Sequence, residues 1–376
     1  MTSKYIFRFA FISLLANQLV GSDEFDFNMD ELEKIELKQY DYSGYLNFEH
    51  KHQVLNKNSL MYPSKNKDSQ ESFLGELFFN YKYFQDKITF NTDFVANYED
   101  IDKDIKDTYI INQAVFSYKF DEFHEVNLGK KTPKWGKGYF FNPIAFIDRK
   151  KDPNKPEANK EGFSQINYKF NKVYDSDLKN IGLDISYIPT SEDLNNELYP
   201  TNSDILALKL YMLYRDIDID IAYLYNNQDV DKIGIDFSTN LETNFEIHGE
   251  FAKDDKDKYS YLMGLKYLTD NELTITSEYF YQNEQLLKNQ PFWDNRYLIN
   301  KLNQKDPFSF LYWNIYYMNS LNLEDNSHQN TIGFTNTKIK NLTLDFSITK
   351  MNGDKTTEYG TKLIDSYSWL QLKYSF

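Results

Sequence analysis

Hydrophobic and polar residues alternate along most of the chain after residue 40. Between Ile217 and Tyr225, aliphatic and aromatic side chains occupy the odd positions, while Asp218 and Asp220 occupy even ones. A period of two is typical of a β-strand with one apolar and one polar face. Seventeen segments show this pattern: 40–50, 71–84, 87–99, 107–119, 123–131, 162–170, 181–190, 204–215, 217–226, 230–238, 241–252, 258–268, 272–283, 308–320, 328–338, 342–352 and 366–376.

Segment length and turn length together favour a membrane barrel. Many segments have 9–12 residues, the length at which a tilted strand crosses a bilayer. The tight connections are 85–86, 216, 239–240 and 270–271. The long polar connections are 51–70, 132–161, 191–203, 284–306 and 353–365. Short turns on one rim and long loops on the other are typical of outer-membrane barrels.

Strand number is the open point of this prediction. Single-chain bacterial barrels have an even number of strands, and the segment 285–320 mixes patterns. Either this segment contains a further strand, which gives eighteen strands, or 308–320 is not a separate strand, which gives sixteen. We therefore predict an all-β fold: a transmembrane antiparallel up-and-down β-barrel of 16–18 strands over residues 40–376, with a long in-folded loop after the fifth strand.

Composition agrees with a membrane location. The chain has 31 Tyr, 30 Phe and 4 Trp, yet only 41% of its residues are hydrophobic. Aromatic strand ends are typical of membrane interfaces, whereas a soluble β core would bury more aliphatic residues. Residues 1–22 carry two basic residues, an apolar run and small residues at the end, which predicts a secretory signal peptide. The acidic residues 23–39 would form a periplasmic N-terminal extension.

The stretch 129–162 is the main irregular feature of the chain. It is rich in proline and glycine, which break strands and helices, so it predicts a long ordered loop. It has nine basic and four acidic side chains, a net charge of +5, whereas the whole chain has a net charge of −15. The aromatic residues within it need burial, which favours a loop folded into the barrel over a loop on the cell surface facing lipopolysaccharide phosphates.

Two motifs resemble those of known outer-membrane proteins. Leu370–Phe376 alternates and stops at an aromatic residue, and it resembles the closing strand of Gram-negative outer-membrane proteins. The resemblance implies that Phe376 is a signal for the barrel assembly machinery. The run from Gly129-Lys-Lys through Trp135-Gly and Asn142-Pro to Glu161-Gly resembles porin-like and alginate-export-like outer-membrane proteins. It covers about 35 residues.

The function predicted from these features is a passive channel for small polar or charged solutes, with loop 132–161 as its constriction. The predicted constriction cations are Lys130, Lys131, Lys134, Lys137, Arg149, Lys150 and Lys151. The predicted lumen wall comprises the acidic residues Asp218, Asp220, Asp236, Glu246, Glu250 and Asp345. The predicted loop anchors are Trp135, Tyr139, Phe140, Phe141, Asn142 and Pro143. Cations opposite acids would select solutes by charge and size.

Other functions have weaker support. A non-conducting scaffold could hold a periplasmic or surface partner, for example through residues 23–39. We expect no enzyme, because no motif of a hydrolase or phosphate-binding loop occurs. The chain has no cysteine. His50 with His52, and His248 with Glu246 and Glu250, are better explained as hydrated polar positions than as metal ligands, so we expect no cofactor. The acidic charge disfavours nucleic acid. Lipid and lipopolysaccharide are the expected surroundings. The sequence does not decide whether the chain forms a homo-oligomer.

Overall fold

The alternating segments form paired strands in the computed structural model, which describes residues 39–59, 61–62, 67–198, 202–284, 286 and 292–376. The predicted signal peptide and all but the last residue of the predicted extension lie outside these ranges. The strands are β1 (Tyr40–Leu55), β2 (Ser69–Gln85), β3 (Ile88–Ile101), β4 (Asp104–Lys119), β5 (His124–Lys131), β6 (Phe163–Val173), β7 (Leu178–Thr190), β8 (Ser203–Tyr214), β9 (Ile217–Asn226), β10 (Lys232–Glu242), β11 (Phe245–Asp254), β12 (Tyr259–Leu268), β13 (Leu273–Gln282), β14 (Arg296–Lys305), β15 (Trp313–Asn322), β16 (His328–Asn336), β17 (Leu342–Asn352) and β18 (Ile364–Ser375).

These strands close into one antiparallel barrel. Each strand pairs with the next one in sequence, and β18 pairs with β1 from Tyr45 opposite Ser375 to Leu55 opposite Ile364. The predicted all-β up-and-down barrel is therefore confirmed, with eighteen strands. Helical structure in the described ranges is limited to a 3₁₀ turn, Pro307–Ser309, and a short helix α1, Glu358–Thr361. No helix among the described residues has the length and apolar character to cross a membrane.

Connection length separates the two rims of the barrel. The rim that carries Tyr40 and Phe376, here the terminal rim, has turns of two to seven residues. Every connection longer than seven residues lies on the opposite rim, here the loop rim. These are the connections 56–68, 132–162, 191–202, 283–295 and 353–363. The alternation of turn length that the sequence predicts is confirmed.

Strand β14 is the one that the alternating pattern did not resolve. It lies within the ambiguous segment 285–320 and pairs with β13 and β15. Three apolar residues in a row, Tyr297, Leu298 and Ile299, obscure its period. Both Tyr297 and Ile299 are fully buried on the inner face, so this strand is apolar on both faces at one end.

The outer face of β9 is apolar, as the sequence predicts. On β9, Ile221, Tyr223 and Tyr225 are exposed on the outside of the barrel, while Asp220 and Ala222 are buried on the inner face. An apolar exposed band around a closed barrel is the surface that contacts lipid.

The register of β9 and β10 can be tested with one arginine on each face. Arginine at Ile221, in the middle of the outer face of β9, should cost about 2–4 kcal/mol because the cation would face lipid near mid-strand. Arginine at Ser238 on β10 points into a cavity and should leave stability nearly unchanged. Urea unfolding of both variants in lipid vesicles measures the difference. Equal costs at both positions would contradict the assignment of the faces.

The chain terminus is joined to β1. Backbone hydrogen bonds link Phe376 and Gly44 in both directions, at 3.0 and 2.9 Å. The Phe376 ring lies over Gly44, where a Cβ atom would lie 2.7 Å from the ring. A side chain at residue 44 would therefore displace the terminal aromatic ring.

Deletion of Phe376 should reduce insertion into the outer membrane more than it reduces folded stability. The deletion removes two backbone bonds at the end of a strand pair that continues to Leu55. The amount of inserted protein in cells and the yield of refolding in detergent are the two measurements, with Phe376→Tyr as the control that keeps a terminal ring. Normal insertion of the deletion variant would contradict the predicted role of Phe376 in assembly.

Candidate functional site

Two carboxylates on the inner face hold the long loop by its backbone. Glu250 on β11 accepts hydrogen bonds from the N–H groups of Gly138 at 2.6 Å and Ile144 at 3.2 Å. Glu278 on β13 accepts the N–H groups of three consecutive residues, 139–141, with 2.9 Å for the middle one and 3.3 Å for the last. Both carboxylates are almost completely buried. A carboxylate is a strong acceptor, so it can satisfy several turn N–H groups at once.

A histidine supports this anchor. His248 on β11 lies 2.9 Å from Glu278 through Nε2 and is fully buried. Its ring crosses β12 at Gly264, where a Cβ atom would lie 2.2 Å from Nε2. Tyr139 of the loop donates its hydroxyl to Glu246 at 3.0 Å. No group of three or more His, Cys, Asp or Glu side chains among the described residues is arranged to hold a metal ion.

Apolar packing fixes the loop to the same wall. Trp135 is 2% exposed, and the loop residues Ile144, Phe146 and Ile147 join it in a cluster with the inner face. The strand residues of this cluster are Phe163, Ile188, Ile205, Ala207, Ala222, Leu224 and Ala252. A second cluster joins Phe140 and Phe141 to Leu262, Phe280, Phe292, Tyr297, Ile299 and Met318. Burial of this much apolar surface stabilises one loop position.

The loop also contacts strands β1 and β16. Lys155 pairs with Glu49 on β1 at 2.8 Å. Asn154 accepts a hydrogen bond from Gln329 on β16 at 2.7 Å. The loop therefore contacts inner-face residues from β9 through β16 to β1.

Two cavities lie beside the loop among the described residues. The larger, about 800 Å³, lies between the loop and the inner faces of β1 to β4, and it also reaches Ser238 on β10 and Glu246 on β11. The smaller, about 400 Å³, lies between the loop and the inner faces of β14 to β18 and β1. Pro156 contacts both cavities.

Several solved structures that are similar to this chain are outer-membrane proteins. Pseudomonas aeruginosa OccK5 (OpdH) aligns over 89% of this chain and 98% of its own at 11% identity and a TM-score of 0.57. A triple mutant of the Rhodopseudomonas blastica porin aligns over 90% and 100% at 10% identity and a TM-score of 0.50. The chain has the fold of a porin-like outer-membrane barrel. Escherichia coli Wzi, described as a carbohydrate-binding β-barrel involved in group 1 capsule assembly, aligns over 92% and 86% at 10% identity and a TM-score of 0.56.

These identities are low, so the likeness concerns the fold alone. No protein-family description and no curated protein sequence matches the chain. The chemistry of the porin-like barrel therefore depends on its own residues.

The predicted cations occupy different places in the porin-like barrel. Lys134, Lys137 and Lys151 line the larger cavity. Lys130 and Arg149 both pair with Glu161. The remaining two are Lys131, which donates to Asn167 at 2.7 Å, and Lys150, which lines neither of the two cavities.

The predicted acidic wall is likewise divided. Asp220, Asp236 and Glu250 are register neighbours on β9, β10 and β11, and all three are buried. Lys137 and Lys209 each approach Asp220 to 3.4 Å. The remaining acids are Asp218, which accepts a hydrogen bond from Tyr211, Glu246, which lines the larger cavity, and Asp345, which lines the smaller one.

Burial shifts the ionisation of loop groups that line the larger cavity. It raises the pKa of Asp148 and lowers the pKa of Lys160, although each of these two charges partly offsets the effect on the other. Burial, followed by the nearby Glu246 carboxylate, raises the pKa of Tyr139. The cavity therefore contains closely spaced opposite charges in a poorly hydrated setting.

The predicted loop anchors lie within the loop's buried side. Trp135, Phe140, Phe141 and Asn142 are buried, and Tyr139 is half-buried. Asn142 closes the loop on itself, since its Oδ1 accepts the Lys151 N–H at 3.0 Å. Its neighbour Pro143 is half-buried.

Sequence reasoning missed two groups of inner residues. Glu278 was not among the predicted acids, and the apolar inner positions of β7 to β9 were not expected on a polar face. Strand β8 gave a usable signal, because Leu206 and Leu208 alternate with Ile205 and Ala207 and both faces are apolar. A strand that is apolar on both faces of a water-filled barrel predicts an internal packing partner.

Proposed function

We propose that the protein is a passive channel for small polar or charged solutes, in which loop 132–161 folds into the lumen and forms the constriction. The observation that supports this most is the anchoring of the loop on inner-face carboxylates, with a cavity on each side of it. Short turns face the periplasm in outer-membrane barrels, so the terminal rim is the periplasmic one.

The lining of the larger cavity supports selection by charge. Lys134 and Lys151 of the loop line this cavity together with amides, one carboxylate and the Phe78 ring on β2 to β4. Among them, Asp93 accepts the Gln113 amide at 2.6 Å, so its charge is partly compensated. Charged side chains at a narrow opening act through less water than in bulk, so they discriminate solutes more strongly there.

Planar-bilayer recording tests this function directly. Purified protein added to a bilayer should produce stepwise conductance increases, with a voltage-independent open state expected of a pore of fixed width. Heat-denatured protein is the control. The absence of current steps from protein that is β-rich by circular dichroism would exclude a channel.

A second function, a non-conducting barrel that binds a partner or ligand, also has an observation in its favour. The loop packs through two apolar clusters and reaches β1 on the other side, which leaves limited open space. Ligand binding without any bilayer current would support this alternative.

A further inference from the structure

Three neighbouring rows of inner positions build the wall of the smaller cavity. Strand register places Asn303, Tyr316, Gly333, Ser347 and Trp369 in one row across β14 to β18. The rows on either side contribute Met318, Thr331 and Tyr367, and Asn314, Thr335 and Asp345. The wall is thus mainly aromatic, amide and hydroxyl.

Tyr316 lies flat on this wall because its neighbour has no side chain. A Cβ atom at Gly333 would lie 2.5 Å from both Cζ and the hydroxyl oxygen of Tyr316. The hydroxyl donates to Asp345 at 2.9 Å, which fixes the ring across β16. One ring face therefore covers the barrel wall, and the cavity lies on the other side.

Trp369 provides a second fixed ring in the same row. Its indole N–H donates to Glu49 at 3.0 Å, and Glu49 also accepts Lys155 at 2.8 Å. The Lys155 ammonium lies 5.5 Å from the centre of the Trp369 ring. Both rings are held before any ligand arrives, which lowers the entropic cost of binding.

Five charged side chains line this cavity: Lys51, Asp152, Lys155, Lys301 and Asp345. Lys51 lies 3.9 Å from Glu49, Asp152 accepts the Asn154 N–H at 2.9 Å, and the Lys301 ammonium lies 5.9 Å from the centre of the Tyr316 ring. Asp345 accepts hydrogen bonds from Tyr316 and from Thr335, the latter at 2.7 Å. Lys155 is paired with Glu49. In contrast, the amides of Gln53 and Asn303 have no hydrogen-bond partner among the described residues, and Oδ1 of Asn314 is buried without one. The amides of Gln53 and Asn303 therefore each offer two N–H donors and an acceptor oxygen to a ligand.

We propose that the smaller cavity is a binding subsite for a neutral ring-form sugar, with Tyr316 and Trp369 as stacking surfaces and the free amides as hydroxyl partners. A sugar ring has apolar C–H faces and a rim of hydroxyl groups, which matches flat aromatic faces beside neutral amides. A cavity of about 400 Å³ is within the usual range for small ligands. The assignment rests on the proposed channel for the route by which a solute enters.

Maltose is the probe, and two variants test the stacking surface. The alanine variants Tyr316→Ala and Trp369→Ala should each weaken maltose binding about two- to tenfold, the range for loss of one aromatic contact. Tyr316→Phe keeps the ring and should bind nearly as wild type. The matched control is Tyr317→Ala, since Tyr317 is adjacent but exposed on the outer face.

Calorimetry in detergent measures binding, and maltose-dependent interruption of single-channel current measures binding within the pore. Sorbitol, which has hydroxyl groups but no ring, and the anion gluconate should bind more weakly than maltose. Circular dichroism checks that each variant is folded, and Tyr316→Phe keeps the test decisive should an alanine variant fail to fold.

The outcomes separate this inference from the channel proposal. Current steps without any maltose binding would overturn the sugar site and leave the channel intact. Maltose binding without current steps would keep the sugar site and overturn the channel. Equal loss of binding in Tyr316→Ala and Tyr317→Ala, or tighter binding of gluconate than of maltose, would also overturn the sugar site.

Discussion

Replacement of Glu278 by alanine should detach loop 132–161 from β13 and raise the single-channel conductance. The side chain accepts three consecutive loop N–H groups and contacts His248, all in a buried setting. A buried donor that loses its acceptor costs about 1–3 kcal/mol, so three such donors outweigh most single contacts of the loop. The loop can recover these bonds only by moving into water, which opens the space that it occupies.

Conductance and limited proteolysis measure the release of this loop. Trypsin should cleave the variant at the loop lysines, while the wild type resists because its loop is packed on the wall. Glu246→Ala is the matched control, because that carboxylate accepts only the Tyr139 hydroxyl from the loop. A Glu278→Ala variant with wild-type conductance and wild-type resistance to trypsin would show that this anchor does not hold the constriction.

Removal of three cavity-lining cations should shift the reversal potential toward cations. The variant Lys134→Gln/Lys137→Gln/Lys151→Gln removes positive charge from the larger cavity. It also removes the Lys137 partner of Asp220, which keeps Lys209 at 3.4 Å, so the negative charge of Asp220 is less compensated. Charges at a partly dehydrated narrow site act through a lower effective dielectric than in bulk water, so this change should dominate the acidic charge of the wider walls.

A second triple variant separates position from total charge. Substituting glutamine at Lys130, Arg149 and Lys150 removes the same formal charge, yet none of these residues lines either of the two cavities. Its shift in reversal potential should be smaller, and raising the salt concentration should reduce both shifts through screening. Equal shifts in the two variants would mean that loop position does not determine selectivity.

The period of two determined most of the architecture from sequence alone. Where one face contacts lipid and the other contacts polar groups, as on β9, each residue type reveals its face, because a one-residue slip would place Asp220 in lipid. Turn lengths and the closing strand at Phe376 follow from equally local signals. The alternating pattern did not identify strand β14. Its inner positions Tyr297 and Ile299 pack against the loop and are apolar, so the polar inner face that produces the alternation is missing there.

The tertiary structure alone decided which residues meet. Glu278 and Glu246 look alike on a strand, but only the path of the loop places three backbone N–H groups against Glu278. Likewise, the basic loop predicted a charged constriction. In the structure, Lys130 and Arg149 pair with Glu161 and line neither of the two cavities. Sequence period fixes the face of a side chain because the pleat is local. Its partner depends on which segments the fold brings together, from 12 positions apart for Arg149 and Glu161 to 139 for Tyr139 and Glu278.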